Sequence, residues 1–209
     1  MLQLIAMITM LVDHVGIVFY PDDAAFRVIG RIAFPLYCWF LVQGYLHTGN
    51  LKKYALRLLA LAILSQLPYT LALQLWQLNV IFTLLLALLV LVTLDSRAKG
   101  IFKALLVGGV VGVVIWVPIS YGLYGVMLTV LFRYFRQWRL VWYHLLLDAV
   151  HVLVYGFGYT IQLFSIMGTI GIVYANELNI KIRLNKWLYR GFYPGHLAVL
   201  YVLRLWIGT

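Results

Sequence analysis

The stretch Leu11–Tyr45 reads LVDHVGIVFYPDDAAFRVIGRIAFPLYCWFLVQGY and contains two long apolar runs. The first run holds the adjacent pair Asp13 and His14, and a polar loop then brings Arg27 and Arg31 to the start of the second run. An ionisable side chain at membrane depth costs free energy, by estimates from a few to more than about ten kcal/mol, and usually serves a function. We therefore expect this stretch to contain the chemical centre of the protein.

The composition of the whole chain indicates a membrane protein. Of 209 residues, 65% are hydrophobic and 11% are charged, whereas a soluble domain has about 25% charged residues. Runs such as LLALAIL and LLLALLVLV are apolar on every face, which excludes the alternating pattern of a membrane β-strand. The sequence predicts an all-α, polytopic bundle of transmembrane helices that forms a single integral membrane domain over residues 1–209.

About nine apolar segments have roughly the length needed to span a bilayer core of about 30 Å. They are Leu2–Tyr20, Ile32–Leu46, Tyr54–Leu75, Leu78–Leu94, Ile101–Pro118, Tyr121–Phe132, Leu140–Phe157, Tyr159–Tyr174 and Phe192–Ile207. Pro118 and Gly122 are also compatible with a kink or re-entrant turn in place of two independent helices. Gly108, Gly109 and Gly112 include a small-xxx-small spacing that would let helices approach closely.

Basic residues fall in alternate loops and predict the orientation of the bundle. They follow the second, fourth, sixth and eighth segments: Lys52, Lys53, Arg57, Arg97, Lys99, Lys103, Arg133, Arg136, Arg139, Lys181, Arg183, Lys186 and Arg190. By the positive-inside rule these loops are cytoplasmic, so the N-terminus is predicted inside and the C-terminus outside. The net charge of +10 is explained in this way without a nucleic-acid partner.

Two further features limit the chemistry. Cys38 is the single cysteine and lies in an apolar run, so an intrachain disulfide and a cysteine metal cluster are excluded. The N-terminus lacks the basic region of a secretory signal, and we expect it to remain as the first helix.

Asp13 and His14 point about 100° apart on a helix, so they are not expected to bond each other. Asp13 is expected to pair with Arg31 or Arg27, which would keep both groups charged. His14 is the candidate general base, because an imidazole with an unperturbed pKa of about 6.5 suits proton transfer at neutral pH. The alternative is that both residues are structural and satisfied by neighbouring helices.

A second polar face lies on the seventh segment, where His144, Asp148 and His151 are spaced i, i+4 and i+7. Three interpretations stay open: half of a metal site, a polar face lining a cavity or proton path, and a structural helix contact. No metal is expected, because no second cluster of histidine and aspartate accompanies this one in the sequence.

The chain resembles the TraX family of bacterial membrane proteins along most of its length, less clearly between Leu140 and Arg190. The resemblance is carried, in matching order, by LVDHVG, RIAFPLYCWFLVQGYLHTGNLKKYALRLL, SQLPYTLA, NVIFTLLLALL, YGLYGVMLTVLFRY and FYPGHLAVLYVL. It implies an acetyltransferase of the bacterial inner membrane, in a family named for members that acetylate the N-terminus of a conjugative pilin subunit. The implied partners are cytoplasmic acetyl-CoA, membrane lipids and an acceptor that is a peptide, a pilin-like protein or a glycan.

The resemblance also implies site residues. Asp13 and His14 match the DH pair of the family, and Arg31 and Pro35 match its RxxFP motif. His196 matches the histidine of its C-terminal YPxH motif. Many relatives have a larger apolar residue where this chain has Gly195. A histidine is essential in the larger multi-helix acyltransferases that TraX proteins distantly resemble.

Acetyl transfer from a thioester requires a base, donors for the developing oxyanion and an anion site for the phosphates of coenzyme A. His14 is the predicted base, and Arg31, Asn79 or a tyrosine are predicted donors. The basic loop of Lys52, Lys53 and Arg57 is the predicted phosphate site, although topology alone explains the same charges.

Two other functions stay open. The chain could be a small proton-coupled transporter with Asp13, His14, Asp148 and His151 as a relay, or a non-catalytic membrane assembly subunit. Against the transporter, no inverted repeat is visible in the sequence.

Overall fold

The computed structural model describes residues 1–177 and 186–208, and most of this part of the chain is helical. The helices are α1 (Leu2–Phe19), α2 (Ala24–Gly30), α3 (Ala33–His47), α4 (Leu51–Leu73), α5 (Val80–Asp95), α6 (Gly100–Trp116), α7 (Gly122–Tyr134), α8 (Gln137–Tyr155), a 3-10 helix (Phe157–Ser165), α9 (Ile166–Glu177) and α10 (Lys186–Ile207). The described residues form no strand, and an isolated bridge joins Leu78 to Ile119. The predicted all-α class is confirmed.

Four helical stretches of the described chain are long and apolar enough to cross a membrane. They are α1, the stretch Ala24–His47 that combines α2 with α3, α4, and Phe157–Ala175. Helices α5, α6 and α7 are apolar but shorter, while α8 and α10 have 19 and 22 residues and cover the seventh and ninth predicted segments. Each predicted segment therefore coincides with a helix. The number of crossings and their orientation stay predictions.

The first loop differs from the sequence prediction, because much of it is helical. Asp23 caps α2, its side chain accepting a hydrogen bond from the backbone N–H of Ala25 at 2.9 Å. Only Arg31 and Ile32 separate the end of α2 from the start of α3. Arg27 and Arg31 are consequently held on a nearly continuous helical stretch and not in a flexible loop.

The boundaries of two other segments also differ from the prediction. The segment predicted as Tyr159–Tyr174 begins as the 3-10 helix and continues as α9, and α10 begins at Lys186, before the predicted start at Phe192. Between α6 and α7 the chain makes a turn, so these are two separate helices and not one kinked helix. Leu78 holds this turn, donating to the Pro118 carbonyl at 2.9 Å and accepting from the Ser120 N–H at 3.0 Å.

Two apolar cores hold the bundle together. One lies between α3, α5 and α7 and includes Leu36, Leu91 and Leu128. The other lies where α10 packs on α4 and α1, and it includes Tyr69 and Leu197. Burial of such side chains stabilises each contact by about 1.5–3 kcal/mol per residue in water, and in lipid the corresponding contribution comes from close packing.

The predicted close approach at the α6 glycines is not made within the described residues. A Cβ added at Gly108, Gly109 or Gly112 would meet no atom within 4 Å. Close approach occurs instead on α7, where a Cβ at Gly125 would collide with Thr83.

One end of the bundle gathers the ends of α3, α5 and α7 around Asp95. Its carboxylate accepts hydrogen bonds from Tyr45 at 2.9 Å, from Tyr134 at 2.8 Å and from Arg133 at 2.9 Å. This is the end at which the sequence places the basic loops. Of those basic residues, Lys181 and Arg183 lie outside the described part of the chain.

Candidate active site

His14 of α1 and His196 of α10 meet through their ring nitrogens, although 182 residues separate them in the chain. Nδ1 of His14 lies 2.7 Å from Nε2 of His196. The ring planes are within 2° of parallel and the ring centres are 5.0 Å apart, as in two coplanar rings that meet edge to edge. Each histidine is 8% exposed. The structure thus joins two histidines that belong to separate sequence motifs.

Hydrogen bonding fixes which nitrogen carries the proton when both rings are neutral. Nδ1 of His196 lies 2.6 Å from the carbonyl oxygen of Phe192, and a carbonyl can only accept, so this nitrogen carries the hydrogen. Nε2 of His196 is then a lone-pair acceptor and receives the Nδ1–H of His14. The hydrogen-bonding assignment leaves Nε2 of His14 with an unprotonated lone pair, and no side chain of the described residues donates a hydrogen bond to it.

Asp13 faces away from His14 and pairs with α2. Its Oδ1 lies 2.8 Å from Nη1 of Arg27. Gly30 packs directly against this carboxylate, and a Cβ at that position would collide with it. Of the two arginines that the sequence offered as partners, Arg27 forms the ion pair. The pair fixes α2 against α1 beside the two histidines.

Arg31 turns toward α7 and the 3-10 helix. Its Nη1 donates to Oε1 of Gln162 at 3.1 Å and lies 3.4 Å from the hydroxyl of Tyr121. Nε of Arg31 and Nε2 of Gln162 are buried and have no hydrogen-bond partner among the described residues. Sequence reasoning missed Gln162, because a neutral amide in an apolar segment carries no charge signal.

A fully buried polar cluster joins α7, α8, α9 and the 3-10 helix. The Tyr124 hydroxyl donates to Asp148 at 2.7 Å, and the Ser165 hydroxyl lies 3.0 Å from both Asp148 and Nε2 of His144. Nδ1 of His144 lies 2.6 Å from the hydroxyl of Thr169. Because His144, Asp148, Ser165 and Thr169 are all 0% exposed, this cluster is a contact between helices and is closed to a substrate.

His151 does not join this cluster through a hydrogen bond within the described residues. It is half-buried, and its ring packs near Tyr124, Tyr155 and Tyr159 at centre distances of 5.1, 4.6 and 5.4 Å. No three His, Cys, Asp or Glu side chains of the described residues are placed to hold a metal ion. Of the three sequence interpretations of this face, the helix contact describes His144 and Asp148 best.

The predicted phosphate-binding residues make no hydrogen bond to the histidine pair within the described residues. Lys52, Lys53 and Arg57 are exposed on the first two turns of α4. The same helix packs through Ala62 and Tyr69 in the core that contains Leu197, the neighbour of His196. Residue 62 lies about 15 Å along the helix from residue 52 at about 1.5 Å per residue. Among the described residues, no hydrogen bond joins these three cations to either imidazole.

Asn79 occupies a structural position that leaves no amide hydrogen free. It is 0% exposed, and its Nδ2 lies 2.8 Å from the Ala62 carbonyl and 3.0 Å from Oε1 of Gln66. Its Oδ1 accepts from the N–H of Ile81 at 3.0 Å and so caps α5. Asn79 thereby ties α4 to α5, and a ligand would have to displace these bonds to use it.

An apolar groove of about 640 Å³ runs between α1 and α10 and reaches His196. Its walls include Leu11, Val15, Gly191 and Gly195. A Cβ at either glycine would meet no atom within 4 Å, so this side of α10 is open beside the histidine.

Comparison with known proteins identifies the family to which the chain belongs. The sequence model described as TraX protein matches residues 1–204. The chain is 29% identical to the probable fimbrial assembly protein FimC, serogroup H1, of Dichelobacter nodosus, over 95% of this chain and 92% of that protein. It is also 44% identical to the uncharacterized protein RP591 of Rickettsia prowazekii (strain Madrid E), over 22% of this chain and 17% of that protein. No solved structure matches the chain. With the family match covering nearly its full length, the chain belongs to the TraX family.

Proposed function

We propose that the protein is a membrane acetyltransferase that moves an acetyl group from cytoplasmic acetyl-CoA to an amine or hydroxyl at or across the membrane. The observation that carries the proposal is the His14–His196 pair, which leaves one lone pair on Nε2 of His14. Membership of the TraX family supports acetyl transfer. The name of the fimbrial assembly relative supports a pilin-like peptide as the acceptor.

In the proposed reaction His14 acts as the general base. Its Nε2 takes a proton from the acceptor amine or hydroxyl as that group attacks the thioester carbonyl, and it returns the proton to the departing thiolate. The protonated ring of His14 shares its charge with His196 through the 2.7 Å hydrogen bond, and the Phe192 carbonyl keeps His196 in the required tautomer. His196 is thus a positioning residue that acts through His14. In a covalent variant of the same scheme, Nε2 of His14 attacks the thioester carbonyl, the C–S bond breaks and coenzyme A leaves as its thiolate. The Nδ1 proton of His14 passes to Nε2 of His196 through their hydrogen bond, and the acceptor then takes the acetyl group from the acyl-imidazole and restores the free ring.

The direct test is acetyl transfer by a His14→Ala variant reconstituted in bilayers. Loss of a general base should lower the rate by about 10² to 10⁴, while insertion and acetyl-CoA binding are retained. His47→Ala is the matched control, because His47 lies exposed at the end of α3 and bonds only the Gln43 carbonyl among the described residues. A His14→Ala protein with a near wild-type rate would remove His14 from the mechanism.

The name of the relative also supports a second candidate function, a non-catalytic assembly subunit. Thermal melting in detergent separates the two functions. An acetyltransferase should gain apparent stability with rising acetyl-CoA concentration, because a ligand that binds only the folded state stabilises it by mass action. Absence of this gain, with folded protein confirmed, would favour the assembly subunit.

A further inference from the structure

The charged side chains next to one another at Asp13 are one carboxylate, Asp13, and two guanidinium groups, Arg27 and Arg31. This group therefore carries one excess positive charge. Asp13 and Arg27 neutralise each other through their ion pair. Arg31 is left with two neutral partners, Gln162 and Tyr121. A buried charge in a medium of low dielectric constant needs a counter-charge or dense hydrogen bonding to be tolerated.

The next carboxylate in this region does not supply that counter-charge. Asp148 is hydrogen-bonded by the hydroxyls of Tyr124 and Ser165 and is not hydrogen-bonded by Arg31. Among the described residues, Arg31 is therefore a partly buried guanidinium with no ion-pair partner, and its Nε atom is fully buried.

Two buried N–H groups mark the position of the missing partner. Nε of Arg31 and Nε2 of Gln162 have no acceptor among the described residues. Each of these nitrogens is bonded to the same carbon as one of the two atoms in the 3.1 Å hydrogen bond between Arg31 and Gln162, so both unpaired donors belong to one side-chain contact. The orientation of the Gln162 amide is fixed by that bond, because its oxygen must face the guanidinium. Gln162 itself is 6% exposed.

We propose that Arg31 and Gln162 bind a carboxylate carried by the acceptor. A carboxylate balances the single excess charge and offers two oxygens to two N–H donors. Arg31 contacts residues on the α7 side of the Asp13–Arg27 pair, whereas the two imidazoles meet on the α10 side. The bound anion is therefore separate from the reacting carbonyl, and Arg31 positions the acceptor. This inference rests on the proposed acetyl transfer and narrows its acceptor to a molecule that has a carboxylate near the attacking group.

Melting of the purified full chain in detergent, without acetyl-CoA, tests the site. Sodium propionate is titrated against sodium chloride and sodium phosphate at equal ionic strength. The wild-type protein should show a saturable rise in Tm with propionate beyond that with chloride. Gln162→Glu puts a carboxylate on the side chain that touches Arg31, so its Tm should be higher without added anion and should not rise further with propionate. Arg31→Met should weaken the apparent affinity about tenfold or more.

Gln74→Glu is the matched control, because Gln74 is exposed at the end of α4, and it should respond to propionate as wild type does. Equal shifts with chloride and propionate, or a propionate shift retained in Gln162→Glu, would overturn the site. A stronger, Gln162-dependent shift with phosphate would overturn the carboxylate assignment and indicate a phosphate group as the ligand.

Two detergent-soluble peptides that differ only by glutamate or glutamine distinguish a carboxylate on the acceptor from a free carboxylate. Equal binding of both peptides would overturn the acceptor assignment. Because these measurements need no acetyl transfer, they can fail or succeed independently of the enzymatic proposal.

Discussion

Asp13 and His14 are adjacent in the chain, yet their side chains contact different helices. The α-helix turns about 100° per residue, which directs Asp13 to Arg27 on α2 and His14 to His196 on α10. The carboxylate of a catalytic triad orients its imidazole directly. Asp13 does not act on His14 in this way. It holds α2 beside α1 and thereby keeps Arg27 and Arg31 at the level of the histidines.

Asp13→Asn should destabilise the protein by about 1–3 kcal/mol, because it removes the charge that pairs with the partly buried guanidinium of Arg27. Arg27→Gln in the same background should restore much of that loss, since the double variant lacks both charges of this pair. Thermal melting of the two single variants and the double variant gives the coupling energy. Strictly additive losses would mean that the 2.8 Å contact contributes nothing to stability.

The sequence narrowed the partner of Asp13 to two arginines, because intramembrane charges must pair and few were available. It did not pair His14 with His196, since that contact depends on how α10 packs against α1 and helix packing is not visible in local periodicity. Gln162 was also missed. Its importance comes from the guanidinium that it touches, and no spacing rule connects positions 31 and 162.

At the scale of elements, the buried cluster of α7, α8, α9 and the 3-10 helix shows what the spacing of residues along one helix can predict. It predicts which side chains share a face, but not which residues of other helices they contact. The i, i+4 relation placed His144 and Asp148 on one face of α8, and both are buried there. His151 belongs to the same predicted face but sits at its edge, among tyrosine rings. The partners Tyr124, Ser165 and Thr169 come from other helices and could not be read from the spacing within α8.

His144→Leu should lower stability substantially while His151→Leu should have a small effect. Removing His144 leaves the hydroxyls of Thr169 and Ser165 without one of their partners, at about 1–3 kcal/mol for each group left unsatisfied. His151 makes only ring contacts among the described residues, and it is only half-buried. Denaturant or thermal unfolding of the two variants side by side makes the comparison. Equal losses would show that the hydrogen bonds of the cluster do not decide its stability.

The glycines of α6 illustrate the opposite outcome. Their small-xxx-small spacing predicted a close helix contact, yet a Cβ at Gly108, Gly109 or Gly112 would meet open space. The spacing permits close approach without requiring it, because the partner surface is set by the other helix. Gly125, which has the same spacing with Thr129, makes the tight contact with Thr83.

At the scale of the whole molecule, the alternating basic loops predict that the end near Asp95 faces the cytoplasm. Cysteines placed at Asp22 and at Ser96, in a Cys38→Ala background, should react with an impermeant maleimide from opposite sides of the membrane. Asp22 precedes α2 and Ser96 follows α5, so the two positions lie at opposite ends of the predicted topology. Labelling of both from one side would contradict the nine-segment, N-inside arrangement.

The same orientation makes the exposed start of α4 available to cytoplasmic acetyl-CoA. Neutralising Lys52, Lys53 and Arg57 together should weaken its binding about tenfold or more for each charge-assisted bond lost, as measured by the acetyl-CoA dependence of the melting temperature. Neutralising Arg136 and Arg139, which are exposed at the start of α8, is the control. Unchanged affinity in the triple variant would show that these three charges serve topology alone.

The distance in sequence between His14 and His196 has a consequence for biosynthesis. A ribosome makes α1 early, but the helix that carries the second imidazole follows only after every other described helix has been made. The nascent chain can therefore place its first histidine in the bilayer long before the partner nitrogen exists. Docking of α10 against α1 is then the event that brings the two imidazoles together, so the proposed transfer requires the last described helix to be in place.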